Sequence, residues 1–417
     1  MINVNDFNGV TDSDIIKNAI NHKQSDGVVV IPPRVNNTEP ERDYWLLDRA
    51  ILIPENTTVI LQNCTIKLSD KCRDNFFRTA NCGLGIDYPE EIKNVHIIGV
   101  GLCTLLGADH PRSTGDSSKI FANPCPYYPE DLLHFANWIS EESKIANKVN
   151  WWETHSHTYG TDTGKEGESQ YGDWRNIGVL FANVTNFSIK NIKIVKPHAW
   201  SISLEACSFG TVENIEFDAC MSKEIDGMRH NIENQDGLNL RNGCHHITVN
   251  NIKGKTGDDV IALTAIADPD LKLGGSLKYT HVMHNDWSKR ESGIHDVTIT
   301  NVVAQSHICL LVRLLACETK ISNIVINGIV GTNEKTTYAA IGIGEGDGAY
   351  GRCLPDSVTN ISISNVVCNC DEAIFVGGYF TDSVVSNIIN RKKDGKLIEV
   401  MRENGTSNVK INNTVIK

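Results

Sequence analysis

HITVNNI, residues 246–252, alternates polar and apolar side chains, then sets Asn before a last apolar residue. Alternation of period two marks a strand with one buried face. The same seven-residue pattern returns as NFSIKNI (186–192), DVTITNV (296–302) and NISISNV (360–366). NVKINNT (408–414) fits except at its last residue, and NVHIIGV (94–100) and NIVINGI (323–329) carry Gly where the others have Asn. Weaker copies, FGTVENI (209–215) and DSVVSNI (382–388), begin 23 and 22 residues after a strong one. One alternating strand every 20–30 residues or so is the signature of a solenoid rather than of several globular domains. No amphipathic helical stretch accompanies the repeats, which excludes the helical solenoids. The pattern predicts an all-β, single-stranded parallel β-helix in preference to a β-sandwich or propeller. Asn at the end of each strand suits a left-handed or hydrogen-bonded corner, and stacked Asn residues would form a ladder.

The ends of the chain differ from its middle. DSDIIKNAINHK (12–23) reads as a short amphipathic helix capped by an Asp or Ser. DGVVVIPP (26–33) follows as an apolar strand ended by prolines, so residues 1–35 are expected to cap the first coil and protect its edge. Residues 107–175 lack the pattern and are rich in Gly, Pro and aromatics, as expected of a loop insertion over a cleft. Trp138, Trp151, Trp152, Tyr159 and Trp174 would either stack on sugar rings or fix the loop to the coil. The expected organisation is one β-helix domain over residues 1–417.

Composition narrows the class further. The net charge of −12 provides no basic field for nucleic acid or an anionic membrane, and no apolar run approaches a membrane span. Thirteen cysteines without CxxC spacing read as buried thiols in a reducing compartment. The N-terminus shows no basic segment leading into an apolar run, so the expected location is cytoplasmic, or secreted if a leader has been removed. The sequence sets no oligomeric state.

NQDG (234–237) and GDDVIAL (257–263) place Asp236 and the pair Asp258–Asp259 22 residues apart. If a coil takes 22 residues, Asp236 and Asp258 stack about 4.8 Å apart. Asp259 joins them only where the strand is broken, for which Gly257 gives the freedom. Carboxylates held this close raise the pKa of at least one, which sets an acid beside a base. That is the requirement of glycosidic hydrolysis. Ca²⁺ binding and structural capping of turns remain open on spacing alone.

NQDG followed by GDDVIAL resembles the Asn-x-Asp-Gly and Gly-Asp-Asp motifs of glycoside hydrolase family 28, the polygalacturonases and their relatives. KNIKIVKPHAWSISLEAC (190–207) is similar to the strand that precedes the site in that family, and the N-terminal stretches are shared among pectinase-like β-helices. The resemblance implies a right-handed parallel β-helix that hydrolyses an α-linked glycoside with inversion and without a cofactor or metal. Under it Asp258 is the general acid, Asp236 and Asp259 hold and deprotonate the water, and Asn234 orients the cluster. His198, Trp200, Arg241, His281 and Arg313 are expected to bind substrate, with Asn239 and Asn242 facing the same cleft. Glu345 and Asp347, in GEGDG (344–348), are candidates for further subsites or a plain turn.

Two departures from the family pattern stand out. The Gly-His-Gly triplet after the Asp pair is missing; His281 and His284 lie in that region but read as surface or binding histidines, and CHH (244–246) as strand packing. The family's Arg-Ile-Lys becomes Arg313-Leu314-Leu315 in CLLVRLLAC (309–317), which loses a cation from the clamp on a uronate carboxylate. Arg313, in an apolar strand, needs the Asp cluster or the substrate as partner. Competing activities are a uronate lyase or epimerase, and a non-catalytic glycan-binding β-helix of the phage-tail type.

Overall fold

A computed structural model describes the chain except for residues 23–26, 36–38, 71, 73, 84, 85, 87, 110–172, 226, 227, 233, 268–279, 284–286, 288, 289, 332–338, 345–350 and 417. The chain winds as a parallel β-helix with a 15-stranded and a 10-stranded sheet. Strands of the larger sheet run long, as in Val184–Val195, Ser208–Asp218, His245–Thr256 and Ile294–Ser306, each parallel to the next. The smaller sheet stacks short strands, among them Ile202–Glu205, Leu238–Arg241, Ile261–Ile266 and Val312–Cys317.

The seven-residue pattern describes a bend as well as a strand. Its first residue has positive φ in every copy: Asn94, Asn186, Phe209, His246, Asp296, Asn323, Asn360, Asp382 and Asn408. Its sixth residue does so at Asn191, Asn214, Asn251, Asn301, Gly328, Asn365, Asn387 and Asn413. Eight of the nine copies therefore turn twice, and Asn tolerates the left-handed region better than most residues. The expected ladder is present: Asn214 Nδ2 donates to Asn191 Oδ1 at 2.7 Å and Asn251 Nδ2 to Asn214 Oδ1 at 2.6 Å.

The apolar positions of the pattern point inward and stack from coil to coil. One column runs Ile189, Val212, Val249, Ile299, Ile326, Ile363 and Val385, all buried. Each such side chain contributes roughly 1.5–3 kcal/mol on burial. The described cysteines are buried apart from half-buried Cys220, and none forms a disulfide.

The N-terminal helix, Asp12–Asn21, lays Ile15, Ile16, Ala19 and Ile20 over the first coil. Its cap is Thr11 rather than an Asp or Ser, because Asp14 completes a capping box with it. Buried Asp12 ties the helix down, 2.9 Å from Arg34 Nε and 2.5 Å from Arg42 Nη1. Most of the 107–175 insertion, with Trp138, Trp151, Trp152 and Tyr159, lies outside the described residues. Trp174 is fully buried beneath the Arg78 guanidinium, so it holds the chain to the coil instead of offering a face to sugar. No helix among the described residues is long and apolar enough to cross a membrane.

Candidate active site

Three turns leading into short strands build the site. Gly237 N donates to Asp259 O at 2.8 Å and Leu238 N to Val260 O at 2.9 Å. The register is therefore 23 residues, and Asp236 sits level with Asp259, not with Asp258 as a 22-residue lap would have it. Gly237 is required by crowding: a Cβ there would lie 2.4 Å from Val260 O and 2.6 Å from Phe217 Cε2. Gly257 also serves close approach, since a Cβ would meet Gln235 Cβ at 3.0 Å and its φ is not left-handed. Asp258 and Asp259 precede the strand, in a bend, so neighbouring side chains escape the alternation and reach one place. Carboxylate oxygens of both lie within 4.8 Å of each other and of Cys309 Sγ on the next coil.

The three carboxyl groups have distinct surroundings. Asp236 is buried, accepts from Asn239 Nδ2 at 3.1 Å, and has no hydrogen-bond partner at Oδ1. Burial, followed by the charges of Asp258 and Asp259, raises it well above the usual carboxyl range. Asp258 is half-buried and is pushed up to about 6 by burial and by Asp259, against the pull of Arg313. Asp259 Oδ2 lies 2.9 Å from Arg313 Nε, and its Oδ1 accepts from Leu310 N at 3.0 Å.

A buried tier lies beside this cluster. Glu205 Oε1 is 2.9 Å from His281 Nδ1, and its Oε2 accepts from Val282 N at 3.1 Å. Arg241 donates through Nη1 to Thr280 O at 2.8 Å and through Nη2 to His281 Nε2, with its guanidinium carbon 4.8 Å from the Trp200 ring centre. Since arginine only donates, His281 Nε2 accepts and Nδ1 carries the proton given to Glu205. Burial opposes ionisation of Glu205, but His281 and Arg241 bring it below its ordinary value; burial lowers Arg241 to about 10.

Asp236, Asp258, Asp259, Asn239 and Arg313 thus come together. Trp200 borders Arg241 and is mostly buried. His281 is not at the surface: it is fully enclosed, as is Arg241, with Glu205 and Arg241 meeting its two ring nitrogens. His198 accepts from Ala108 N at 2.8 Å, committing its Nε2 to the backbone. Asn242 turns to the next coil, donating to Ile266 O at 2.6 Å and accepting from Ile266 N at 2.8 Å. Asn234 is a half-buried residue with φ 52° at the turn ahead of Asp236. Leu315 is buried with Ile266 and Cys317. His284, Glu345 and Asp347 lie outside the described residues.

Several site residues carry no motif of their own. Gln235 accepts from Met221 N at 2.8 Å, donates to Pro197 O at 2.6 Å, and takes Gly257 N on its carbonyl at 3.0 Å, bracing both Asp turns. Cys309 receives Arg313 Nη2 at 3.2 Å, and burial with the charges of Asp259 and Asp258 keeps it a neutral thiol. His307 belongs to the turn stacked on the Asp pair: its N donates to Thr256 O at 3.0 Å, beside the Ser306 Oγ–Asp258 O bond of 2.8 Å. The lap from Ile261 to Val312 takes 51 residues, which hides this histidine from a search by spacing.

The chain is thus a parallel β-helix with acidic groups gathered before its short strands. Residues 149–273, which contain all three aspartates, match the glycosyl hydrolases family 28. That match spans less than half of the chain, and the substrate class that the family implies is carbohydrate. Among solved structures it is similar to the endo-xylogalacturonan hydrolase of Aspergillus tubingensis, at 13% identity and TM-score 0.57, covering 98% of this chain and 90% of that one. It is also similar to a hyperthermoactive exopolygalacturonase from Thermotoga maritima, at 16% identity and TM-score 0.53, covering 100% and 91%. A further match is the tailspike protein of E. coli bacteriophage HK620, solved with a pentasaccharide, at 12% identity and TM-score 0.48, covering 95% and 66%. No curated protein matches the chain.

Proposed function

We propose that this protein hydrolyses an α-linked glycosidic bond in a poly- or oligosaccharide, with inversion, using Asp258 as acid and Asp259 with Asp236 to hold and activate water. The observation that carries the reading is the difference in environment within one cluster. Asp258 is the least buried of the three and keeps its proton up to about pH 6, which suits protonation of a leaving oxygen. Asp259, held against Arg313, is the group placed to take the proton of water. Asp236 offers an unpartnered Oδ1 that a water or sugar hydroxyl can satisfy.

The substrate is one whose carboxylate, if any, is not gripped at Arg313 and position 315. Arg313 faces Asp259, and Leu315 is apolar and buried. A panel of neutral and acidic α-glycans tests this, with products resolved by chromatography. Cleavage of a neutral glycan in preference to polygalacturonate is expected. Exclusive cleavage of polygalacturonate would overturn the substrate assignment, and turnover undiminished in Asp258→Asn would overturn the acid.

A further inference from the structure

The larger sheet carries a second cluster of ligating side chains, at the outer corner where the seven-residue pattern begins. Most coils place Asn or Asp there and join them: Asn94 Nδ2 to Asn56 Oδ1 at 2.6 Å, Asn186 to Asn94 at 2.6 Å, Asn408 to Asp382 at 2.7 Å. The ladder breaks at Phe209 and His246, which hold φ of 53° and 54°, and resumes with Asp296. A phenylalanine in the left-handed region is strained where Asn is not. The column beside it is equally unusual. Ser208, Ser322, Thr359, Thr381 and Ser407 occupy it elsewhere, but His245 and His295 occupy it here.

These substitutions converge on one spot. His295 Nδ1 lies 2.7 Å and His246 Nε2 3.6 Å from the same oxygen, Asp296 Oδ2. One donor atom from each of the three residues falls within 4.8 Å of the other two. His245 stacks on His295 with ring centres 5.0 Å apart and 5° between planes, and its Nδ1 is 2.8 Å from His246 Nδ1. Side-chain exposures of 45% for His246, 37% for Asp296 and 22% for His295 leave the cluster open to an ion.

We propose that His246, His295 and Asp296 bind a divalent cation of the Zn²⁺ type, which staples the two coils on either side of the Asp258–Asp259 turn. Two imidazoles and one carboxylate fit Zn²⁺, with water in the remaining position. They lack the six or more oxygens that Ca²⁺ takes. The ion joins residues 50 positions apart, so it closes the lap that holds the Asp pair. No local spacing marks such a site, because its ligands meet only when coils stack.

The test uses the full chain without a histidine tag, titrated with ZnCl₂ by calorimetry and with CoCl₂ by visible absorption. His246→Asn and His295→Thr return each position to the residue type of this chain's other coils, so both variants are expected to fold. One Zn²⁺ per chain, bound at least tenfold more weakly in each variant, and a melting temperature raised by Zn²⁺ only in the parent chain, is the expected result. Binding undetectable at about 1 mM, or unchanged in both variants, overturns the proposal. Loss of binding in Asp258→Asn/Cys309→Ser, with full binding in His246→Asn, overturns it equally by moving the ion to the Asp pair.

Discussion

Asp236 and Asp258 are stabilised as neutral acids, and this has a consequence for stability as well as for chemistry. Asp258 goes from 3.8 to about 6, so the folded state binds its proton more tightly than the unfolded chain does. That stabilisation is full below about pH 3.8 and is lost as pH rises through 6. Asp236, raised for the same reason, acts in the same direction. Asp236→Asn and Asp258→Asn are therefore expected to stabilise the fold at pH 8 by on the order of 1–3 kcal/mol, with less gain at pH 5, in urea melts at the two values. The same Asp258→Asn change is expected to cost about 10²–10⁴ in turnover. Wild-type activity should fall as pH passes upward through about 6. Glu205→Gln removes the anion beside Arg241, and losing one partner of a buried pair costs about 3–5 kcal/mol. The three aspartates were legible because they sit in motifs. The pairing of Glu205 with His281, 76 positions away, and the approach of Cys309, a coil away from Asp258, were not, since nothing local announces such a meeting.

At the scale of the element, the Asn corner does two things. It supplies a tolerated left-handed residue, and it links coils through its amide. Asn251→Ala keeps neither and should cost about 1–2 kcal/mol for the backbone alone, beyond the lost bond to Asn214. Asn251→Gly should recover the backbone part and leave only the bond missing, which denaturant titration of the two variants separates. Period-two alternation made these strands readable, and the corner was readable from the Asn that interrupts it. The face reached by Asp258 was not, because alternation fixes sides only within a strand and residues 257–260 form a bend. The one-residue error in register has the same origin.

Across the whole molecule, the two ends of the coil are finished differently. The helix Asp12–Asn21 covers the first coil, and Thr11→Ala should lose about 1 kcal/mol by removing its capping box. At the far end the column Ile363–Val385 closes on Ile411, which is 49% exposed. Repetition made the solenoid legible from sequence, while lap length was not: successive coils take 23, 37 and 50 residues where strands at 185, 208, 245 and 295 pair. Loops of any length leave a solenoid between strands without disturbing its core, so spacing fails where function is built. The most direct measurement is a ¹H NMR time course of the first product released from an α-linked oligosaccharide that the protein cleaves. The β-anomer should appear first, then mutarotate, and should vanish in Asp258→Asn. Initial release of the α-anomer, or of an unsaturated uronate, would contradict hydrolysis by inversion at this aspartate cluster.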